Sequence, residues 1–196
     1  MSKFKIIIVV SILMILLNSC KDTKEAIVIE QKRVDYPVVL RMSSKYKKIF
    51  RINLPLKLKI KNNSLRRRSF TSIDYEYEPF RRRFGITLFR EQEKKLKRIS
   101  NTKFKHIYPY EEEVFVFKTW HRLDSSQTFQ KYFSEDIKKM IALKQDTLLV
   151  GNLDDFKCNY KEIFDQIVSG DSIRIDFRNP RAGDNLNGRI TVPVEW

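Results

Sequence analysis

A two-residue alternation of apolar and polar side chains, repeated along most of the chain, constrains the fold more than any other feature of the sequence. The alternation runs through residues 54–61, 73–78, 84–88, 172–177 and 190–195. Successive side chains of a β-strand point to opposite faces of a sheet, so each segment predicts a strand with one buried face. The chain is therefore expected to be mainly β.

Some segments also indicate where in a sheet their strands lie. Residues 114–121 carry apolar or aromatic side chains on both alternating faces, which is typical of a central strand. Pro193 cannot donate a backbone hydrogen bond, so the strand around it is expected at a sheet edge. Shorter strands are expected at 26–30 and 38–42.

Two segments have helical periodicity instead. Apolar residues recur every three or four positions through 129–141, and Ser134 offers an alternative helix start within that stretch. A second pattern, at 160–168, stops at Gly170, a natural C-cap. The carboxylates at 154–155 are expected to begin this second helix, where they complement the helix dipole.

Many strands joined by turns, with one or two inserted helices, predict an antiparallel β-sandwich, of which the immunoglobulin-like arrangement is one form. An α+β fold with helices on one open sheet is the alternative. Residues 26–196 are expected to form a single β-rich domain. Cys158 is the one thiol in that range, so no internal disulfide is expected to hold the domain together.

The first twenty residues have the pattern of an export signal. Two lysines precede an apolar run from Ile6 to Leu17 that only Ser11 interrupts. This run is shorter than the roughly 20 residues that a membrane-spanning helix needs, and its basic start is typical of a signal peptide. The segment Leu17-Asn18-Ser19-Cys20 resembles the lipobox of bacterial lipoproteins.

That resemblance implies diacylglyceryl transfer to Cys20, cleavage before it, and attachment to a membrane through acyl chains. Residues 1–19 would be the lipoprotein signal peptide, and residues 20–25 the lipidated N-terminus with a short tether. In this family an acidic residue after the cysteine favours retention in the inner membrane. Lys21 stands there instead, so the outer membrane is expected.

The charge of the chain is concentrated in its middle. Lys and Arg number 39 and Asp and Glu 24, which gives a net charge of +15. Residues 41–110 contain 21 basic and five acidic side chains, whereas residues 111–196 contain 12 basic and 15 acidic ones. A charge step within one small domain predicts a basic face that attracts an anionic partner.

A two-residue hairpin turn at Asn62-Asn63 would build this basic face from two paired strands. In that register Lys59 lies opposite Arg66, and Lys57 lies opposite Arg68. A later strand is expected to bring further cations to the same end. The predicted anion-binding residues are Lys57, Lys59, Lys61, Arg66, Arg68, Arg90, Lys94 and Lys95. The alternative is that these side chains only solvate and protect sheet edges.

The sequence offers little for catalysis. His121, Asp124 and Ser125 have the residue types of a triad but lack a nucleophile motif, and His121 is expected to be structural. Neither the glutamate run at 111–113 nor residues 184–188 have the ligand pattern of a metal site. No cofactor and no metal is predicted, although carboxylates from distant positions could still assemble a glycosidase site.

These observations favour a non-catalytic envelope lipoprotein, an accessory or docking subunit of a membrane-associated secretion, transport or motility assembly. Its partner would be an envelope protein, or anionic lipid or lipopolysaccharide. Nucleic acid is not an expected partner, because an exported chain rarely meets it and RNA-binding aromatic motifs are absent. Two alternatives stay open: an envelope enzyme that acts on glycan or lipid, and an immunity or inhibitor lipoprotein.

Overall fold

The strands of the described chain form three antiparallel sheets. The computed structural model describes residues 26–76, 86–92, 95–123, 127–178 and 188–196. The strands are β1 (Ile27–Lys32), β2 (Val39–Ser43), β3 (Lys48–Asn53), β4 (Pro55–Asn62), β5 (Arg68–Glu76), β6 (Thr87–Gln92), β7 (Lys95–Ile99), β8 (Lys105–Ile107), β9 (Glu112–Lys118), β10 (His121–Arg122), β11 (Thr147–Leu149), β12 (Ser172–Arg178) and β13 (Arg189–Pro193). The helices within these residues are α1 (Gln127–Tyr132), α2 (Ser134–Ala142), α3 (Leu153–Asn159) and α4 (Lys161–Ile167).

Two of the sheets face each other. Sheet A has the strand order β1-β4-β9-β6-β7, sheet B the order β10-β3-β2-β11, and sheet C the order β13-β12-β5-β8. The core between sheets A and C includes Leu56, Leu58, Ile60, Phe115 and Phe117 from sheet A and Phe70, Ile73, Tyr75, Ile173, Ile175 and Phe177 from sheet C. The prediction of a mainly β, sandwich-like fold with a few helices is confirmed.

The strand positions follow the alternation in the sequence. β9 is the third of the five strands of sheet A, and Phe115, Val116 and Phe117 are all buried, as expected for a central strand. β13, which ends at Pro193, lies at an edge of sheet C. The predicted positions of these two strands are therefore confirmed.

Sheet B forms a second core with the helices. Its inner face contributes Leu40, Ile49 and Ile52, and the helical region contributes Phe133, Met140, Phe156 and Phe164. The chain passes directly from β3 into β4 and from β9 into β10, so sheets A and B are continuous in two places. Trp196 packs against both cores. That residues 26–196 unfold as one domain stays a prediction.

The helices are shorter than their sequence patterns. The 129–141 pattern is divided at Phe133 into α1 and α2, so Ser134 begins a second helix. The helix expected from 154 to 168 is divided at Tyr160 into α3 and α4. None of the described helices is long and apolar enough to cross a lipid bilayer.

The start of α3 is fixed by a capping box. Asp155 N donates to Asn152 Oδ1 (2.9 Å), and Asn152 N donates to Asp155 Oδ2 (3.2 Å). These bonds satisfy two backbone donors that have no partner within the helix. Asp154 and Asp155 do lie in the first turn of a helix, but this helix is α3, and the 160–168 pattern forms the separate helix α4.

The predicted hairpin between β4 and β5 is wrong. β4 pairs with β1 and β9 in sheet A, whereas β5 pairs with β8 and β12 in sheet C. The chain at Asn62-Asn63 therefore crosses from one sheet of the sandwich to the other. Asn62 is buried, and its Nδ2 donates to backbone carbonyls of both the turn and the 107–108 loop. A side chain with such buried partners does not fit an exposed two-residue turn.

Candidate anion-binding surface

The outer face of sheet A carries three of the predicted lysines. Lys57, Lys59 and Lys61 share one side of β4, as the alternation predicts. Lys57 Nζ lies 2.6 Å from Glu91 Oε2, and Lys59 Nζ lies 2.7 Å from Glu112 Oε2. The hydrogen bond to Glu112 raises the pKa of Lys59. Two of the three lysines on this face are therefore paired with carboxylates, Glu91 of β6 and Glu112 of β9.

Arg90 does not join that face. It follows Leu88 on the inner side of β6, opposite Phe115, and its Nε lies 3.1 Å from Glu113 Oε2. Lys95 begins the edge strand β7 and is exposed, and Lys94 lies outside the described residues. The later strand therefore does not extend a common cationic face.

The predicted opposition of Lys59 to Arg66 and of Lys57 to Arg68 is also wrong, because β4 and β5 belong to different sheets. Arg66 is exposed in the turn that follows β4. Arg68 turns inward and is almost fully buried, and its Nε donates to Ser64 Oγ (3.1 Å). The predicted basic face is thus divided among several environments.

A row of arginines that the sequence did not predict crosses the outer face of sheet B. Arg122 of β10 lies directly opposite Arg51 of β3, and Arg51 lies directly opposite Arg41 of β2. These three residues are called the arginine row below. Directly opposed residues of antiparallel strands have Cβ atoms about 5 Å apart, so three like charges are brought together on one surface.

The centre of the row is electrostatically unfavourable. Burial lowers the pKa of Arg51, and the charges of Arg41 and Arg122 lower that pKa further. Arg41 Nη2 lies 3.8 Å from Asp146 Oδ2, whereas Arg51 has no carboxylate within ion-pair distance among the described residues. The Nε atoms of Arg41 and Arg51 are buried and have no hydrogen-bond partner among the residues that the structure describes.

Apolar side chains flank the row. The guanidinium carbon of Arg51 lies 4.5 Å from the ring centroid of Trp120 and 5.6 Å from that of Phe50. The β2–β3 register shifts at Phe50, which leaves this residue unpaired in a bulge and its side chain 42% exposed. Leu149 of β11 is 60% exposed on the same face. The surface therefore combines cationic and apolar groups.

The arrangement is suited to binding anions rather than to bond-making chemistry. A guanidinium group holds its donors in a planar fork that matches a carboxylate or a phosphate. Neighbouring strands are about 4.8 Å apart, so the three forks are spaced to contact several anionic groups of one partner. Such a partner would both relieve the repulsion within the row and supply acceptors.

Sequence reasoning missed the row because β3 does not alternate. Ile49 and Ile52 both point into the second core although they are three positions apart, since the bulge inserts Phe50 between them. A spacing of three is typical of a helix, so no strand was predicted there. The basic stretch 41–110 contains Arg41 and Arg51 but not Arg122, and composition alone does not identify which cations meet.

His121 belongs to a buried polar network between the two cores. His121 Nδ1 lies 3.1 Å from Thr119 Oγ1, and Nε2 lies 2.9 Å from Tyr75 Oη and 3.2 Å from Asp171 Oδ2. Trp196 Nε1 donates to the same carboxylate oxygen (2.8 Å), as does the Tyr75 hydroxyl. His121, Tyr75 and Asp171 are all buried, so the network links the cores. This placement supports the expectation that His121 is structural.

The other candidate catalytic and metal-binding residues that the structure describes do not form a common site. The glutamates at 111–113 interact with three different groups: the Tyr108 backbone N–H, Lys59 and Arg90. Cys158 is exposed. Among the described residues, no group of three His, Cys, Asp or Glu side chains could hold a metal ion. Asp124, Ser125 and residues 184–187 lie outside the described residues.

No protein-family model matches the chain, and neither curated proteins nor solved structures include a significant match. The functional inference therefore depends on the geometry of the chain itself.

Proposed function

We propose that this chain is a non-catalytic envelope lipoprotein whose arginine row docks an acidic surface of a protein partner. The supporting observation is the direct cross-strand opposition of Arg122, Arg51 and Arg41. Like charges directly opposite each other destabilise a sheet. A partner that carries carboxylates would turn this unfavourable arrangement into a favourable one on binding.

The apolar flank favours a protein over an inorganic anion or a lipid headgroup. Arg and aromatic residues contribute most of the binding energy at protein interfaces, especially where they are desolvated together. Arg51 stacks near Trp120, and Phe50 and Leu149 present exposed apolar surface beside the row. An acidic partner with apolar contacts of its own would use both properties. The role that follows is that of an accessory or docking subunit.

The membrane anchor of this proposal rests on the lipobox at residues 17–20, which lies outside the described residues. We expect Cys20→Ser to release the protein from the membrane fraction and to remove the mass of the diacylglyceryl group from its N-terminus. Fractionation and intact-mass measurement test this expectation. A variant that stays membrane-bound with an unchanged N-terminal mass would contradict lipidation.

The docking surface is tested with a variant that replaces the whole row, Arg41→Gln/Arg51→Gln/Arg122→Gln. We expect its affinity for a fluorescently labelled peptide of alternating Glu and Leu to fall about tenfold or more, equivalent to about 1.4 kcal/mol. The affinity of the unaltered protein should itself fall as salt rises, because salt screens exposed charges. Fluorescence anisotropy titrations at low and physiological salt measure both effects.

The matched control is Lys57→Gln/Lys59→Gln/Lys61→Gln, which removes the same number of positive charges from the outer face of sheet A. Because Lys57 and Lys59 are paired with acids, we expect this control to change the affinity less than about twofold. Equal losses in the two variants would show that the peptide responds only to net charge and would contradict docking by the arginine row. Near-UV circular dichroism is the control that checks whether both variants keep the native fold.

A further inference from the structure

The sandwich ends in a surface that is both apolar and basic. This surface, called the tip below, consists of the turn at 63–67 and the loop at 108–111. Leu65 is 79% exposed, Tyr110 is 63% exposed and Tyr108 is 51% exposed, and Arg66 and Arg67 are exposed beside Leu65. Three large apolar or amphipathic side chains on two adjoining loops, next to two arginines, exceed the single exposed residues that a soluble surface normally shows.

Hydrogen bonds of the buried Asn62 side chain hold the two loops of the tip together. Asn62 Nδ2 donates to the carbonyl oxygens of Arg66 (2.8 Å), Ile107 (3.1 Å) and Tyr108 (3.1 Å). Asn62 Oδ1 accepts from the backbone N–H of Ser64 (3.0 Å). These bonds satisfy polar backbone groups of both loops. The exposed apolar side chains are therefore carried on a backbone that hydrogen bonds hold in place.

The described chain begins at the tip. Asn63 N donates to the carbonyl oxygen of Ala26 (2.9 Å), and Ile27 of β1 pairs with Asn62 of β4. Residues 20–25 number six, and six residues span at most about 20 Å. An N-terminus held at a membrane near Cys20 therefore keeps the tip within about 20 Å of that membrane.

The arginine row lies at the other end of the sandwich. β4 runs from Pro55, next to sheet B, to Asn62 at the tip. Eight residues of extended strand cover about 23 Å at 3.3 Å per residue. The start of β4, where sheet B adjoins sheet A, is therefore about 23 Å of strand from a membrane at the tip.

We propose that the tip is the membrane-contacting surface of this protein and that its ligand is a bilayer containing anionic phospholipid. Leu65 enters the boundary between headgroups and acyl chains, the two tyrosines lie in the interfacial layer, and Arg66 and Arg67 contact the headgroups. Glu111 accepts from the Tyr108 N–H (3.4 Å) and Glu112 pairs with Lys59, so each of these two carboxylates has a partner within the protein. This site is separate from the proposed docking surface and shares with it only the N-terminal anchor.

The test uses the full chain as it is processed in the membrane, reconstituted into vesicles of phosphatidylethanolamine and phosphatidylglycerol. An environment-sensitive fluorescent amino acid is placed at Leu65 in one sample and at Leu149 in another. Both positions are exposed leucines. Leu65 lies in the tip, whereas Leu149 of β11 pairs with Val39, which lies opposite Asn53, just before the start of β4. We expect lipids brominated on their acyl chains to quench most of the emission at position 65 and to leave position 149 unchanged.

The charge contribution is tested in the position-65 sample with Arg66→Gln/Arg67→Gln. We expect its quenching to fall to the value that the unaltered chain shows in neutral phosphatidylcholine vesicles. The matched control, Lys57→Gln/Lys59→Gln, removes two charges elsewhere and should keep the full quenching. Near-UV circular dichroism verifies the fold of each variant.

An unquenched position 65, or equal quenching at both positions, would overturn the proposal, and quenching at position 149 alone would show that sheet B faces the membrane. Failure of the tip to contact lipid would leave the peptide affinity of the arginine row unchanged. The two proposals can therefore fail independently.

Discussion

Asp171→Ala is expected to lower the free energy of unfolding by about 3–5 kcal/mol, the cost of removing one partner from a buried polar pair. The Asp171 carboxylate accepts from the Tyr75 hydroxyl and the Trp196 indole and lies 3.2 Å from His121 Nε2. Alanine would remove the acceptor that Tyr75 and Trp196 share, next to the buried His121. An unsatisfied buried polar group costs about 1–3 kcal/mol.

The matched control is Asp176→Ala. Asp171 directly precedes β12, and Asp176 lies within it. The partner of Asp176 is Arg189 (2.9 Å), and the side chains of Arg189 and Asp176 are 59% and 40% exposed. Exposed ion pairs contribute about 0–1 kcal/mol, so this variant should unfold close to the unaltered protein. Urea denaturation followed by fluorescence measures both. Equal destabilisation by the two substitutions would contradict the role of the network in joining the cores.

Asp171→Asn removes the charge of the side chain and nearly keeps its shape. The amide keeps one acceptor oxygen and nearly the same volume, so it can still accept from Tyr75 or from Trp196. We expect it to lose less stability than alanine, while the unfolding transition stays a single one. Two separate transitions in either variant would show that the sandwich and the sheet B core unfold as independent units.

The strands with one buried face could be predicted from the sequence because every second side chain packs into the same apolar layer. In β4, Leu56, Leu58 and Ile60 all meet the same apolar layer, and no bulge interrupts them. Local alternation is then sufficient, since every second residue sees the same environment. The place of β9 at the sheet centre was predictable from a different local signal, since Phe115 and Phe117 on one face and Val116 on the other are all buried.

Pairing partners could not be predicted, because they depend on contacts between distant segments. Asn62-Asn63 has the residue types of a hairpin turn, yet buried carbonyls of the 107–108 loop bind the Asn62 amide and direct the chain to the opposite sheet. The arginine row depends on a bulge and on two short strands whose register no local pattern specifies. The basic composition of residues 41–110 was therefore visible in the sequence, while the opposition of Arg41, Arg51 and Arg122 was not.

The stability of the protein is expected to rise between pH 8 and 10.5 because of Lys105. Burial, with a smaller contribution from the charge of Arg90, lowers the pKa of Lys105 from its ordinary value of 10.5 to about 8. Its Nζ donates to the carbonyl oxygens of Thr71 (2.6 Å) and Lys103 (3.0 Å) inside the sandwich. The folded state therefore releases the Lys105 proton at a lower pH than the unfolded state does.

The sign follows from this difference in proton binding. Below about pH 8 both states hold the proton, so Lys105 adds no pH dependence to the free energy of unfolding. Between about pH 8 and 10.5 only the unfolded state holds it, so the free energy of unfolding rises by about 1.4 kcal/mol per pH unit. The full gain approaches about 3 kcal/mol above that range, an upper limit for a group that keeps two carbonyl partners.

Lys105→Met isolates this contribution from the other groups that titrate in alkali. Urea midpoints of both proteins are measured from pH 7 to pH 10.5. We expect the midpoint of the unaltered protein to rise relative to that of the variant as the pH rises. Lys103→Met is the control, because Lys103 is exposed two positions away and its removal should leave the pH profile unchanged. If the difference between the unaltered protein and Lys105→Met stayed constant over this range, the Lys105 ammonium would titrate at its ordinary pKa, and the interior of the sandwich would have to be accessible to water at β8.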